Sequence, residues 1–166
     1  MNQAILKLLE REPERREITF HSDAWREGIP SKPGWYFVET DMPPEKFKDV
    51  RGPGKNSAHY NIPERVKESL ALEQFNACIP PGRRFFYIVY SGETANLRAR
   101  AREHVSGHPK TACLALESYP FLCKYKWFFC FLLCEVGENS KESKLLRTVG
   151  EQLWRAKNGW PILCKK

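Results

Sequence analysis

The stretch 84–105 constrains this 166-residue chain more than any other part of it. An apolar run, Phe85-Phe-Tyr-Ile-Val-Tyr90, passes through Ser91-Gly92 into a charged segment that ends Arg100-Ala-Arg-Glu-His104-Val105. The apolar run lacks alternation, which predicts a strand over 84–90 that is covered on both faces. Gly92 reads as the turn after it. Asn96 is a good N-cap for a helix over 97–105. Leu97, Ala101 and Val105 recur at helical spacing and form its buried stripe. Arg100 and His104 stand four residues apart, so both point the same way, beside the strand end that carries Tyr90.

The rest of the chain reads as elements around that junction. Residues 34–39 (GWYFVE) predict a first strand after the turn signal Pro30-Ser-Lys-Pro33. Residues 124–136, rich in aromatics, predict a long third strand. A short helix is expected over 111–117. A last helix, capped by Asn139 or Ser140 and ended by Gly159, runs to about 157. Its expected core face is Leu145, Leu146, Val149 and Leu153, with Glu151 off that face. Residues 3–12 predict a helix with Ile5, Leu8 and Leu9 as an apolar stripe, ended by Pro13 and the charges after it. Between the first two strands lies an insertion, 40–83, with its own helix over 63–75, in which Val66, Leu70 and Leu72 face inward. The expected fold is therefore a single α+β domain over 1–166, with an N-terminal extension over 1–32.

Composition narrows the partners. Hydrophobic residues make up 42% of the chain, enough for a packed core and too many for a disordered tail. The formal net charge is +7, a balance that favours polyanions such as nucleic acid. The six cysteines form no CxxC pair, so neither a zinc site nor a disulfide framework is expected. Cys130 and Cys134 fall in an apolar run, where thiols behave as small hydrophobes. No apolar run reaches membrane-spanning length, so a cytoplasmic protein with reduced thiols and no membrane contact is expected.

Each candidate residue also has an ordinary explanation. Arg100 and His104 fit a solvated basic helix with a casual histidine. Glu151 stands near Arg147 and Arg155, as in many surface ion pairs. The loop with His108 and Lys110 suits phosphate contact or plain solvation. Lys124 and Lys126 alternate with Tyr125 and Trp127 on the expected third strand, and lysines placed so give affinity without base sequence. In the insertion, Arg51, Lys55, Asn56, His59, Tyr60 and Asn61 have side chains suited to base readout or to a solvated loop.

Taken together, the motifs resemble the GIY-YIG nuclease family over roughly 33–164, apart from the insertion. Gly34-Trp35-Tyr36 matches the first motif with tryptophan in the isoleucine place, and Tyr90-Ser91-Gly92 the second with serine there. Arg100 follows Tyr90 by ten residues, His104 comes one turn later, and Glu151 sits on the helix after the third strand. Two departures stand out. The tyrosine motifs are about fifty residues apart, an addition the family's restriction enzymes tolerate, and Cys164 stands where a closing asparagine is expected, with Asn158 earlier. The resemblance implies a central three-stranded, mainly antiparallel sheet flanked by helices. It also implies a metal-dependent endonuclease acting on double-stranded DNA, with a restriction-like role, if it has one, implying a homodimer. By that resemblance Tyr36 is the base, Tyr90 positions, Arg100 binds phosphate, His104 orients the tyrosine or relays its proton, and Glu151 holds one Mg²⁺ or Mn²⁺. The alternative is a nucleic-acid-binding protein that keeps the fold and does not cut.

Overall fold

The computed structural model describes residues 10–52, 61–71, 85–134 and 141–164. The strands are β1 (Glu14–Glu17), β2 (Gly34–Thr40), β3 (Tyr87–Thr94) and β4 (Trp127–Leu133). They form one antiparallel sheet in the order β1-β4-β2-β3. The α-helices among these residues are α1 (Ile62–Leu70), α2 (Leu97–Ser106) and α3 (Lys141–Asn158). The protein is thus α+β, with a sheet of four strands where three were expected.

The additional strand is the charged run Glu14-Arg-Arg-Glu17, which has no apolar alternation to betray it. It joins the sheet through backbone pairing with β4. Arg15 lays its guanidinium over Phe128, 3.3 Å from the ring centroid, and donates from Nε to Glu39 Oε2 at 2.9 Å. So the expected extension supplies a sheet edge. The helix expected over 3–12 lies outside the described residues up to residue 9, and residues 10–12 are not helical.

The central strand β2 is paired on both sides, so six of its seven residues are buried. Alternation sends Tyr36 and Val38 to one face of the sheet and Trp35 and Phe37 to the other. The first face packs with Tyr90, Phe129, Phe131 and, from α2, Leu97 and Ala101 in the main core. Phe47, Val50, Ile62 and Val66 join that same core, so the described part of the insertion is packed on the domain. Asn61 caps α1 through Glu64 N–H at 3.3 Å. Val66 is buried as expected, whereas Leu70 is exposed and Leu72 lies outside the described residues.

Three local expectations change. First, β3 does not end at Tyr90: Ser91, Gly92, Glu93 and Thr94 continue the strand, and the chain turns only at Ala95 and Asn96. Its start also moves, with Phe85 outside the strand and 83% exposed. Second, the helix expected over 111–117 is irregular chain followed by a single 3-10 turn, Leu116–Ser118. Third, β4 is shorter than expected. Lys124 closes the 3-10 turn Leu122–Lys124 and Lys126 precedes the strand, so the two lysines do not alternate along it.

Helix α3 covers the second face of the sheet with a side that is only partly the expected one: Leu146 and Leu153 pack against Trp35 and Cys134 as expected, but Leu145 and Val149 do not. Leu145 is 64% exposed and Val149 40%, whereas Ser143, Arg147 and Gly150 are buried. The Trp35 indole explains the rotation. A Cβ at Gly150 would stand 2.2 Å from Trp35 Cζ2, and Trp35 Nε1 donates to the Arg147 carbonyl at 2.5 Å. The bulky ring accepts only a glycine turn of helix against it. This rotation brings Glu151 and Trp154 inward. Gly159, with φ +100, ends the helix as expected, its N–H donating to Arg155 O at 2.8 Å. The following segment lies along the outer edge of β3, where Leu163 N–H donates to Val89 O at 2.9 Å. Among the described residues, no helix is long and apolar enough to cross a membrane.

Candidate active site

The site grows from the register of β2 and β3. Tyr36 lies opposite Gly92, and Val38 opposite Tyr90, so both tyrosines stand on the α2 face of the sheet. Gly92 leaves room for the Tyr36 ring, since a Cβ there would stand 2.4 Å from Tyr36 Oη. The tyrosine rings stack with centroids 6.1 Å apart, and Phe129 backs Tyr36 at 5.0 Å.

Helix α2 supplies the partners. Asn96 Oδ1 accepts from Ala99 N–H at 2.9 Å, the expected cap. Arg100 then donates from Nε to Tyr36 Oη at 2.8 Å and from Nη2 to Tyr90 Oη at 3.5 Å. One turn on, His104 Nε2 lies 3.0 Å from the same Tyr36 Oη. Leu114 N–H donates to His104 Nδ1 at 3.2 Å. Nδ1 is therefore an acceptor, the proton sits on Nε2, and His104 donates to Tyr36.

Burial sets the charges. It pushes the Tyr36 phenol well above its ordinary range, with neighbouring Tyr90 adding and Arg100 opposing. It pushes Tyr90 up as well, against Arg100. It holds His104 well below the usual histidine range, and Arg100 adds to that. Burial also pulls Arg100 down, but Tyr36, Tyr90 and Glu103 more than offset it, so the guanidinium stays charged. The resting site is one arginine cation among neutral phenols and a neutral imidazole.

The histidine makes stability depend on pH. An ordinary histidine titrates near pH 6.5. His104 titrates lower when folded, so the unfolded chain binds the proton more readily below that value. Stability should be intact above about pH 6.5 and fall below it, by at most about 1.4 kcal/mol per pH unit for one proton. Denaturant unfolding at about pH 7.5 and about pH 5.5 should show a smaller loss for His104→Gln than for the wild type. The raised Glu151 acts in the opposite sense in both proteins and cancels in that comparison.

Glu151 comes from the other face of the sheet. It lines a cleft of about 30 Å³ with Tyr36, Ser91, Gly92 and Trp154, room for about one water. Burial raises its carboxyl, Arg155 lowers it and Glu93 raises it again. Its Oε1 is ion-paired with Arg155. Glu151 is the one acidic side chain among the described residues that line the cleft. Arg155 is held independently of Glu151: it donates from Nε to Ser91 Oγ and from Nη2 to Ser91 O, both at 2.9 Å, and stacks over Trp160. A divalent ion bound through one carboxylate, waters and phosphate oxygens fits these donors. No cluster of three or more histidine, cysteine or acidic side chains occurs among the described residues.

The structure therefore gathers Tyr36, Tyr90, Arg100, His104 and Glu151. The other candidates stand apart. Arg51 is exposed and donates to the carbonyls of Lys48 and Val50. Lys55 and His59 lie outside the described residues, as do Asn56, Tyr60 and Cys78. Lys110, Lys124 and Lys126 are exposed, and His108 Nδ1 accepts from Lys110 N–H at 3.2 Å. Cys164, in place of the expected asparagine, is buried beside Ser91, whose N–H reaches its Sγ at 3.2 Å, and burial pushes the thiol up against the opposing Arg155. Sequence reasoning gave no role in the site to Glu103, read Ser91 only as a motif position and Arg155 only as a surface ion-pair neighbour of Glu151. The first and last carried a signal in their helical spacing, Arg100 to Glu103 and Glu151 to Arg155. Of the remaining cysteines of the described residues, Cys113, Cys123 and Cys134 are free thiols, and Cys130 and Cys134 are buried. No family model, curated protein or solved structure matches this chain.

Proposed function

We propose that the protein is a metal-dependent endonuclease that hydrolyses DNA phosphodiester bonds, a GIY-YIG-type hydrolase. One observation carries the proposal: a single guanidinium, Arg100, reaches two stacked tyrosine hydroxyls, one of which also meets His104. The Glu103 carboxylate and the Ala112 carbonyl already supply the partners that a purely structural buried arginine needs, and the tyrosines come in addition to them. Two phenols are a weak match for that purpose and a good one for proton chemistry beside a phosphate.

Arg100 binds the phosphate and neutralises charge that builds at phosphorus. Tyr36 first gives up its own phenol proton to solvent; the phenolate oxygen then accepts the proton of the attacking water as the water oxygen bonds to phosphorus, and Tyr90 positions. The Arg100 and His104 N–H groups converge on that oxygen and stabilise its negative charge against the burial that opposes it. His104 acts as a neutral donor that orients the ring. Glu151 would hold one Mg²⁺ or Mn²⁺, which when bound supplies Lewis-acid polarisation of the phosphate. The net charge of +7 favours a DNA partner. A restriction-like role would pair a two-fold protein with a two-fold site.

The Glu151–Arg155 ion pair favours a second reading, a nucleic-acid binder that does not cut. Incubation with supercoiled plasmid and phage DNA, with Mg²⁺ or with EDTA, separates the two. Mg²⁺-dependent cutting is expected, reduced at least about a hundredfold in Glu151→Ala with DNA binding kept. Discrete fragments would support sequence specificity, and nicking or a smear would remove the restriction-like role. A wild type that binds DNA and leaves it uncut with every metal tried would establish the second reading.

A further inference from the structure

We propose that Glu103 is a positioning residue for Arg100, and that through it the segment 108–115 sets the geometry of the site. The catalytic side of this inference rests on the nuclease reading above. Glu103 Oε2 accepts from Arg100 Nη1 at 2.8 Å and from Thr111 Oγ1 at 3.1 Å. The same segment supplies the Ala112 carbonyl to Arg100 Nη2 at 2.6 Å and the Leu114 N–H to His104 Nδ1. Ala115 follows in the left-handed region, φ 49 and ψ 51, a conformation uncommon for alanine. Thus Thr111, Ala112 and Leu114 of the segment touch Glu103, Arg100 and His104, the three α2 side chains that build the site.

An i,i+3 pair on an open helix contributes little. Here both side chains are about 15% exposed or less, and the carboxylate is shared with a residue from outside the helix. A guanidinium has five N–H groups. Tyr36 takes Nε–H, Glu103 one Nη1–H, and Tyr90 and Ala112 the two on Nη2. One Nη1–H has no acceptor among the described residues. It is the donor left for a phosphate oxygen, and Glu103, bound to the same nitrogen, decides where it points. The segment also carries exposed Lys110, so a phosphate held there would act on Arg100 through Thr111 and Ala112.

Two measurements test this on the full chain. In DNA cleavage, Glu103→Ala should lower kcat about tenfold to a hundredfold with KM changed less than about threefold, because misplacement acts on the transition state. Glu103→Gln, which still accepts both hydrogen bonds, should recover most of that loss, and Thr111→Val should fall between. The second measurement needs no cleavage. In ¹H–¹⁵N spectra the Arg100 Nε–H signal, identified by its loss in Arg100→Lys, should be protected from exchange in the wild type and in Glu103→Gln. It should lose that protection in Glu103→Ala. Unchanged protection in Glu103→Ala, or a loss confined to KM, would overturn the positioning role. A wild type that never cuts DNA but shows the expected exchange pattern would sink the nuclease reading and leave the positioning role standing.

Discussion

Replacing Arg100 with lysine should lower DNA cleavage by about a thousandfold while the chain still folds. Removing one preorganised donor from a transition state typically costs about a hundredfold to a thousandfold. Arg100 reaches Tyr36, Tyr90, Glu103 and the Ala112 carbonyl from one planar fork. Lysine keeps the charge but is a single point with three donors and cannot span those acceptors. Tyr36 would then lose one of the two N–H donors that converge on its oxygen, and the phosphate would lose its fork. Alanine is the poorer test, because it leaves the Glu103 carboxylate partly buried without its partner, which is strongly destabilising. Single-turnover cleavage beside a melting curve checks the prediction. Activity within about tenfold of the wild type would mean that Arg100 does not serve the reacting phosphate.

Gly92→Ala should destabilise the fold by about 2 kcal/mol and cut activity about a hundredfold in the molecules that remain folded. Two effects compete. Alanine in place of a strand glycine contributes about 0.5–1 kcal/mol by restricting the unfolded chain. Against that, its Cβ would sit 2.4 Å from Tyr36 Oη and 2.6 Å from Cζ. The ring cannot retreat, since Phe129 backs it at 5.0 Å and His104 stands at 5.3 Å between centroids. The clash wins, and the ring or the strand must shift. Either shift breaks the convergence of Arg100 and His104 on Tyr36 Oη. Urea unfolding and cleavage at a temperature where the variant is folded read the two effects separately. A variant as stable and as active as the wild type would contradict the close packing of Tyr36 on Gly92.

The contrast between the two glycines on the α3 and α2 faces explains where sequence reasoning stopped. Gly92 reads as a turn because glycine permits unusual backbone, yet here it stays in an ordinary strand and serves only by lacking a side chain. Gly150 has the same role against Trp35, and it turns α3 so that Leu145 and Val149 face outward. Neither close approach has a local signature, because the group that demands the space is more than fifty residues away. Strand β1 was hidden for a related reason: its place depends on backbone pairing with β4 and on Arg15 covering Phe128, not on an apolar pattern of its own.

What the sequence determined by itself is local. Asn96 caps α2, helical spacing places Arg100 and His104 on one side, and the apolar run marks β3 as a strand, of which Ile88, Val89 and Tyr90 are buried. These follow from dihedral preferences and side-chain periodicity within a few residues. Tertiary structure decided which oxygen Arg100 and His104 meet, which side of α3 turns inward with Glu151, and that Glu103 and Thr111 stand beside the arginine. Those outcomes depend on strand register and on volume shared between distant rings, and both are settled only when the sheet closes on its helices.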